Sequence, residues 1–199
     1  NSIVVDQEGI PHIAYFDPID GSPIFQGLMY ATKYMDTWYR EEVDENGGST
    51  PSIALDSAGI VHIAYYDQTN DDLRYATPLE PDGWDIQTID SVGNVGASPS
   101  LVFDPGDQPH IAYLDLTNLD IKYAFYNGTE WDLQTVATDP SFNSTISLAL
   151  TQTGLPRFTY QQANGQLSLG LGYAEFNGIS WNGQTLVMDS SVSAWSSLA

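Results

Sequence analysis

Cysteine is absent from the sequence, so no disulfide holds this chain together and cysteine usage says nothing about its redox compartment. Basic residues are scarce too: five Lys and Arg stand against 26 Asp and Glu, a formal net charge of −21. A surface of that sign repels nucleic acid and anionic membranes, which are bound chiefly through Lys and Arg. It favours solubility and cations, and it fits a well-solvated secreted protein. No run approaches the ~18 apolar residues of a membrane-spanning helix, so no membrane insertion is expected. The first residue is Asn and no signal peptide precedes it, so the stretch reads as a mature product or as a piece of something longer.

Apolar and aromatic residues are plentiful. They make up 42% and 12% of 199 residues, enough for a packed core of ordinary size. They are arranged in a repeat. His-Ile-Ala-Tyr occurs at His12–Tyr15, His62–Tyr65 and His110–Tyr113, with a degraded copy at Arg157–Tyr160. The steps between the His or Arg positions are 50, 48 and 47 residues, a period that signals a repeat architecture.

Each unit opens with a β-prone run: Ser2–Val5, Ser52–Leu55, Ser100–Phe103 and Ser147–Leu150. A turn closed by Gly9, Gly59 or Gly154 follows, and Asp107 stands at the third position, where turn chemistry also tolerates Asp. We name these runs strand a, and the His-Ile-Ala-Tyr segment strand b. Strand c carries Tyr30-Ala31, Tyr75-Ala76, Tyr123-Ala124 and Tyr173-Ala174, and strand d opens on Trp38, Trp84, Trp131 or Trp181. Nowhere does a helical period persist beyond about two turns.

Four short strands per 47–50 residues predict an all-β fold, a β-propeller of four four-stranded blades. Blade boundaries are expected at about 1–50, 51–98, 99–145 and 146–195, with strand a along the axis and strand d at the rim. Residues 196–199 read as the start of a further blade, because Trp195–Ala199 repeats the pattern of Thr50–Ala54. That overhang predicts a larger propeller or propeller array, with further copies of the unit past Ala199 and before Asn1.

The composite Ser-[Ile/Leu]-x-x-Asp-x-x-Gly-x-x-His-Ile-Ala-Tyr-x-Asp, followed by [Leu/Ile]-x-Tyr-Ala and a Trp-headed strand, carries a resemblance. It is similar to repeats of uncharacterised secreted bacterial and archaeal proteins, grouped with sialidase-like (BNR or Asp-box-like) β-propellers. The spacing departs from the Asp-box proper, since Asp and Gly are three apart and lead into His rather than Thr-Trp. The resemblance therefore implies an architecture, and no particular activity.

A sialidase-like glycoside hydrolase would bring an arginine cluster, a Tyr nucleophile with a Glu partner and an acidic proton donor. Arg40, Arg74 and Arg157 fall on strands d, c and b of different repeats, and Tyr15, Tyr65, Tyr113 and Tyr160 recur with the scaffold. Three equivalent His on separate blades read as repeated structural hydrogen-bonders, not as one metal site. The sequence thus favours binding over catalysis.

The b–c loops are the leading candidate site. Asp67, Asn70 and Asp72, then Asp115, Asn118 and Asp120, and more sparsely Asp17 and Asp20, gather oxygens of the kind Ca2+ prefers, although Asp and Asn also simply favour turns. The b–c spacing varies while the a–b spacing is constant, so the long loops Pro18–Gln26 and Gln161–Ser168 are expected to shape a ligand site beside Asp67 and Asp115. Asn127 and Asn143 open N-glycosylation sequons, relevant to an exported protein. The function expected is a non-enzymatic extracellular or cell-surface module, recognising a glycan or protein or assembling with copies of itself. The alternatives are a structural subunit of an extracellular filament or surface layer, or part of a sialidase-like hydrolase.

Overall fold

A computed structural model describes residues 1–18, 26–45, 47–138, 140–141, 144–163 and 169–188. Asp20, Asn143, most of the two long b–c loops and the Trp195–Ala199 segment lie outside the described residues. The fold is all-β, and no helix occurs among the described residues. The first sheet holds β1 (Ser2–Val5), β2 (Pro11–Pro18), β3 (Gln26–Tyr34) and β4 (Thr37–Asp44). The second holds β5 (Ser49–Leu55), β6 (Val61–Asp67), β7 (Asp72–Pro78) and β8 (Trp84–Asp90). The third comprises β9 (Val95–Phe103), β10 (Pro109–Asp115), β11 (Asp120–Tyr126) and β12 (Trp131–Thr138). The fourth comprises β13 (Ile146–Leu150), β14 (Pro156–Ala163), β15 (Leu169–Phe176) and β16 (Trp181–Met188). Each is a four-stranded sheet in sequence order, the blade of a β-propeller. The chain divides into two compact units, Asn1–Leu101 and Val102–Ala199.

The a–b hairpin is closed by its own acid. Asp6 Oδ1 accepts the amides of Glu8 and Ile10 at 2.9 and 2.8 Å, and Asp56 and Asp104 do the same for their turns. The bond from the Ile10 amide, with those from His12 and Glu8, lowers the Asp6 pKa. Thr151 replaces the acid in the fourth turn, and its hydroxyl accepts the Leu155 amide at 3.0 Å. Asp107 adopts φ 58°, the left-handed conformation that Gly takes in the other three turns.

Every sheet carries a β-bulge at one place between strands c and d: Leu28/Met29, Leu73/Arg74, Ile121/Lys122 and Leu171/Gly172. A bulge re-aims the residues that follow it.

Blades meet through repeated devices. In the first unit, Ala14, Leu28, Tyr30 and Val43 of one sheet pack with Ile53, Val61, Ile63, Tyr65 and Ala76 of the next. The hydroxyl of Ser2 accepts the Ile53 amide at 3.3 Å, and that of Ser52 accepts the Leu101 amide at 3.0 Å, so each of these two serines ties its strand a to the following one. Gly96, at φ 99°, passes so close to β7 that a Cβ there would lie 2.5 Å from Leu73 Cα.

The His and Trp markers belong to the same system. His62 Nδ1 lies 2.6 Å from the Tyr75 hydroxyl, and its Nε2 faces Asp56 Oδ2 at 3.5 Å. His12 repeats this with Tyr30 at 2.5 Å and Asp6 at 3.4 Å, and His110 with Tyr123 and Asp104. A neutral imidazole with Nε2–H turned to the carboxylate accepts the tyrosine proton on Nδ1. The tyrosine ring then meets the Trp of the next blade edge-on: Tyr30 with Trp84 at 5.4 Å, Tyr123 with Trp181 at 5.0 Å. Trp181 Nε1 also donates to Gln134 Oε1 at 2.8 Å. In the fourth sheet Arg157 replaces His. Its Nε faces Glu175 at 3.5 Å, while the Tyr173 hydroxyl donates to the same carboxylate at 2.9 Å.

Two outcomes follow. Trp181→Ala should lower unfolding free energy by about 2–3 kcal/mol in urea denaturation, given its half-buried ring, while Ile179→Ala, 91% exposed, should stay within ~0.5 kcal/mol. Burial holds the His110 pKa below its ordinary value, with Asp104 opposing. The unfolded chain therefore binds the extra proton first. This stability is present above about pH 6.5 and is lost as pH falls below it. His110→Gln should flatten the decline in stability between pH 7.5 and 5.5; an unchanged slope assigns the decline to other groups.

Candidate functional site

The loops expected to carry a ligand are built as self-closed turns. Asp67 is fully buried: its Oδ1 accepts the Thr69 and Asn70 amides at 2.9 and 3.4 Å, and its Oδ2 accepts Asn70 Nδ2 at 2.7 Å. Asp115 treats Thr117 and Asn118 identically, at 3.0, 2.9 and 2.8 Å. Asp72 and Asp120 pair in register with those two acids, and burial, then the Asp67 charge, pushes the Asp72 carboxyl up. Asp17 pairs in register with Gly27, one step before the last pair of β2 and β3. Among the described residues no three His, Asp or Glu side chains are grouped to hold a metal ion. Asn127 is exposed, and its Oδ1 accepts the Thr129 and Glu130 amides of the c–d turn. Beside the second-sheet loop, Tyr66 donates to Asp71 and to Asn94, and burial with the Asp71 bond moves its pKa up to about 12.

Asp67 also belongs to a buried ion network between the first two sheets. Arg74 Nη2 lies 2.8 Å from Asp67 Oδ2, and Nη1 donates to Asp44 Oδ2 at 2.9 Å. The Tyr65 hydroxyl donates to that same Asp44 oxygen at 2.7 Å. Burial works against the Arg74 charge, yet Asp67 and Asp44 outweigh it and raise its pKa. Burial and Asp44 likewise raise that of Tyr65. Strand register makes the network a repeated set of positions. Asp44 faces Leu28 across the bulge and Met29 follows; Leu73 and Arg74, Ile121 and Lys122, and Leu171 and Gly172 hold the same places. Asp44 therefore corresponds to Asp90, Ala137 and Val187.

Where β12 of the third sheet meets the fourth sheet, all three ionic positions are neutral. Ala137 stands for Asp44, Gly172 for Arg74 and Gln162 for Asp67, while Tyr160 is retained in place of Tyr65. A cavity of about 400 Å3 lies there, lined by Thr135–Thr138 of β12, Tyr160 and Gln162 of β14, and Gly183–Thr185 of β16. Tyr160, Gly172 and Thr185 form one row across the sheet. The hydroxyl end of the Tyr160 ring overlies Gly172, where a Cβ would come within 2.4 Å of it. Thr185 donates to Gln162 Oε1 at 2.6 Å. Tyr160 is 3% exposed and its pKa is raised by burial alone. No hydrogen bond to its hydroxyl occurs among the described residues.

The structure thus brings together Asp67, Asn70 and Asp72, and Asp115, Asn118 and Asp120, but as turn closures. Arg40, Arg74 and Arg157 stay on separate sheets, on β4, β7 and β14. The cavity was not anticipated from the sequence. Its signal was Gly172 and Ala137, departures from the repeat at places whose partners only register reveals.

No protein-family model matches the chain, and no curated protein matches it. Solved structures do match. A Hadza microbial sialidase aligns over 94% of this chain and 46% of its own, with a TM-score of 0.67 and 12% identity. An ulvan lyase of polysaccharide lyase family 25 aligns over 94% and 55%, with a TM-score of 0.63 and 11% identity. A protein of unknown function from Dyadobacter fermentans aligns over 94% and 52%, with a TM-score of 0.57 and 11% identity. The chain spans about half the length of these proteins. The likeness defines a β-propeller fold of the kind found in sialidases and polysaccharide lyases.

Arg74→Ala should cost ~3–5 kcal/mol in urea denaturation, because it leaves Asp44 and Asp67 buried without their counter-ion. The double change Asp44→Ala/Arg74→Met should recover part of that loss, since Asp67 stays buried but keeps its own turn amides.

Proposed function

We propose that this chain is a non-enzymatic recognition module of an exported or cell-surface protein, and that its ligand is a glycan. The observation that carries the reading is the cavity between β12, β14 and β16. It is concave, of a size usual for small-molecule sites (~300–1,000 Å3), and lined by hydroxyl, amide and methyl groups around one tyrosine. Glycoside hydrolysis calls for two carboxylates flanking the scissile bond, roughly 5–9 Å apart. The described lining offers none, so these groups hold a sugar rather than cleave it. Structures of the same fold named as a sialidase and an ulvan lyase support carbohydrate as the ligand class. The acidic composition supports export, and makes nucleic acid or an anionic membrane a poor partner.

Screening the purified chain on a glycan array, beside sialidase, glycosidase and lyase assays on the same glycans, tests the reading. Binding without turnover is expected. Turnover of any bound glycan makes the chain part of an enzyme, and large self-association without glycan binding makes it a structural subunit.

A further inference from the structure

Resting on that glycan reading, we infer that the cavity is the seat of a single neutral sugar residue, and that the natural loss of the ion network is what created it. In the first unit the same positions are filled by a long guanidinium, two carboxylates and a tyrosine hydroxyl that bond to one another. In the second unit the guanidinium becomes Gly172, one carboxylate Ala137 and the other Gln162. The changes remove two negative charges and one positive charge together, and they leave space and no stranded ion. Tyr160 keeps its hydroxyl but loses the acid that its counterpart Tyr65 bonds. Its hydroxyl lines the cavity without that acid, and a hydroxyl-rich ligand supplies a partner in its place.

The chemistry at the site selects against an acid. Thr135, Thr138, Tyr160, Gln162, Gln184 and Thr185 offer neutral donors and acceptors that match sugar hydroxyls. No charged side chain belongs to the described lining. The second unit holds only two cations: Lys122 lies over the Tyr113 ring, 5.8 Å from its centroid, and Arg157 pairs with Glu175. A sialic or uronic acid carboxylate would enter an uncompensated acidic field. This separates the site from the arginine cluster that sialidase-like chemistry would require.

The test is a titration of the full chain, followed by amide NMR. The probes are methyl glycosides of glucose, galactose, mannose and xylose, set against glucuronic acid and N-acetylneuraminic acid. At least one neutral glycoside should shift the amides of Thr135–Thr138 and Gly183–Thr185, with the acids at least ~10-fold weaker. The double variant Ala137→Asp/Gly172→Arg, which rebuilds the ionic plug, should lose binding by at least ~10-fold. If that variant does not fold, Thr185→Val at an exposed strand position takes its place, with weakened binding expected. Acids binding as well as neutral sugars, or undiminished binding in a folded plugged variant, overturns this inference and leaves the glycan reading standing. Neutral-sugar shifts confined to other residues do the same. If no sugar of either kind moves any amide, the glycan reading falls with it.

Discussion

A β-sheet with apolar residues on both faces cannot stand in water, and that constraint governs everything else in this chain. The middle strands of the second and third blades bury both even and odd positions, and β10 is buried along its whole length. Such a sheet must be covered on two sides, and a covering element is another copy of the same sheet. The Ser2–Ile53 and Ser52–Leu101 bonds, the close pass of Gly96 over Leu73 and the Tyr–Trp edge contacts are successive answers to one problem: how to set two identical sheets face to face in one register. Strand d stands at the end of each sheet's order, and its outer residues are correspondingly exposed.

The polar residues that look most like chemistry are absorbed by that task. In the first three blades the Asp that closes the a–b turn also faces the imidazole of strand b, which in turn meets the strand-c tyrosine. The Asp of the b–c loop caps its own amides, and in the second sheet it neutralises Arg74 as well. Part of the acidic surplus is thus framework and not a solvated coat. Where the framework relaxes, at Ala137, Gln162 and Gly172, the interface becomes hollow and neutral.

The fold was legible because it is written in types of residue: His-Ile-Ala-Tyr at a fixed period, Gly or Asp where φ is positive, and Trp at the head of strand d. The markers' partners were less legible. That each His would join a strand-c tyrosine to a turn Asp depends on cross-strand register, which a repeat shows only as spacing. The candidate site was read from oxygen-rich loops, since Asp and Asn clusters look alike whether they cap a turn or await a cation. Asp67 and Asp115 turned inward to their own amides. The hollow interface was the harder case. Gly172 is one of seventeen glycines in this chain and stands out only once the bulge aligns it with Arg74 and Lys122.

The bulge between strands c and d recurs in all four sheets, each time just before the same strand-c position: Met29, Arg74, Lys122 or Gly172. Strand d is irregular there already, so the side chain at this position can change size and charge without disturbing the ladder on either side. One codon per repeat then acts as a dial between plug and hole. A duplicated blade inherits the dial along with the scaffold, and a lineage of such blades can acquire binding sites by erasing side chains instead of inventing them.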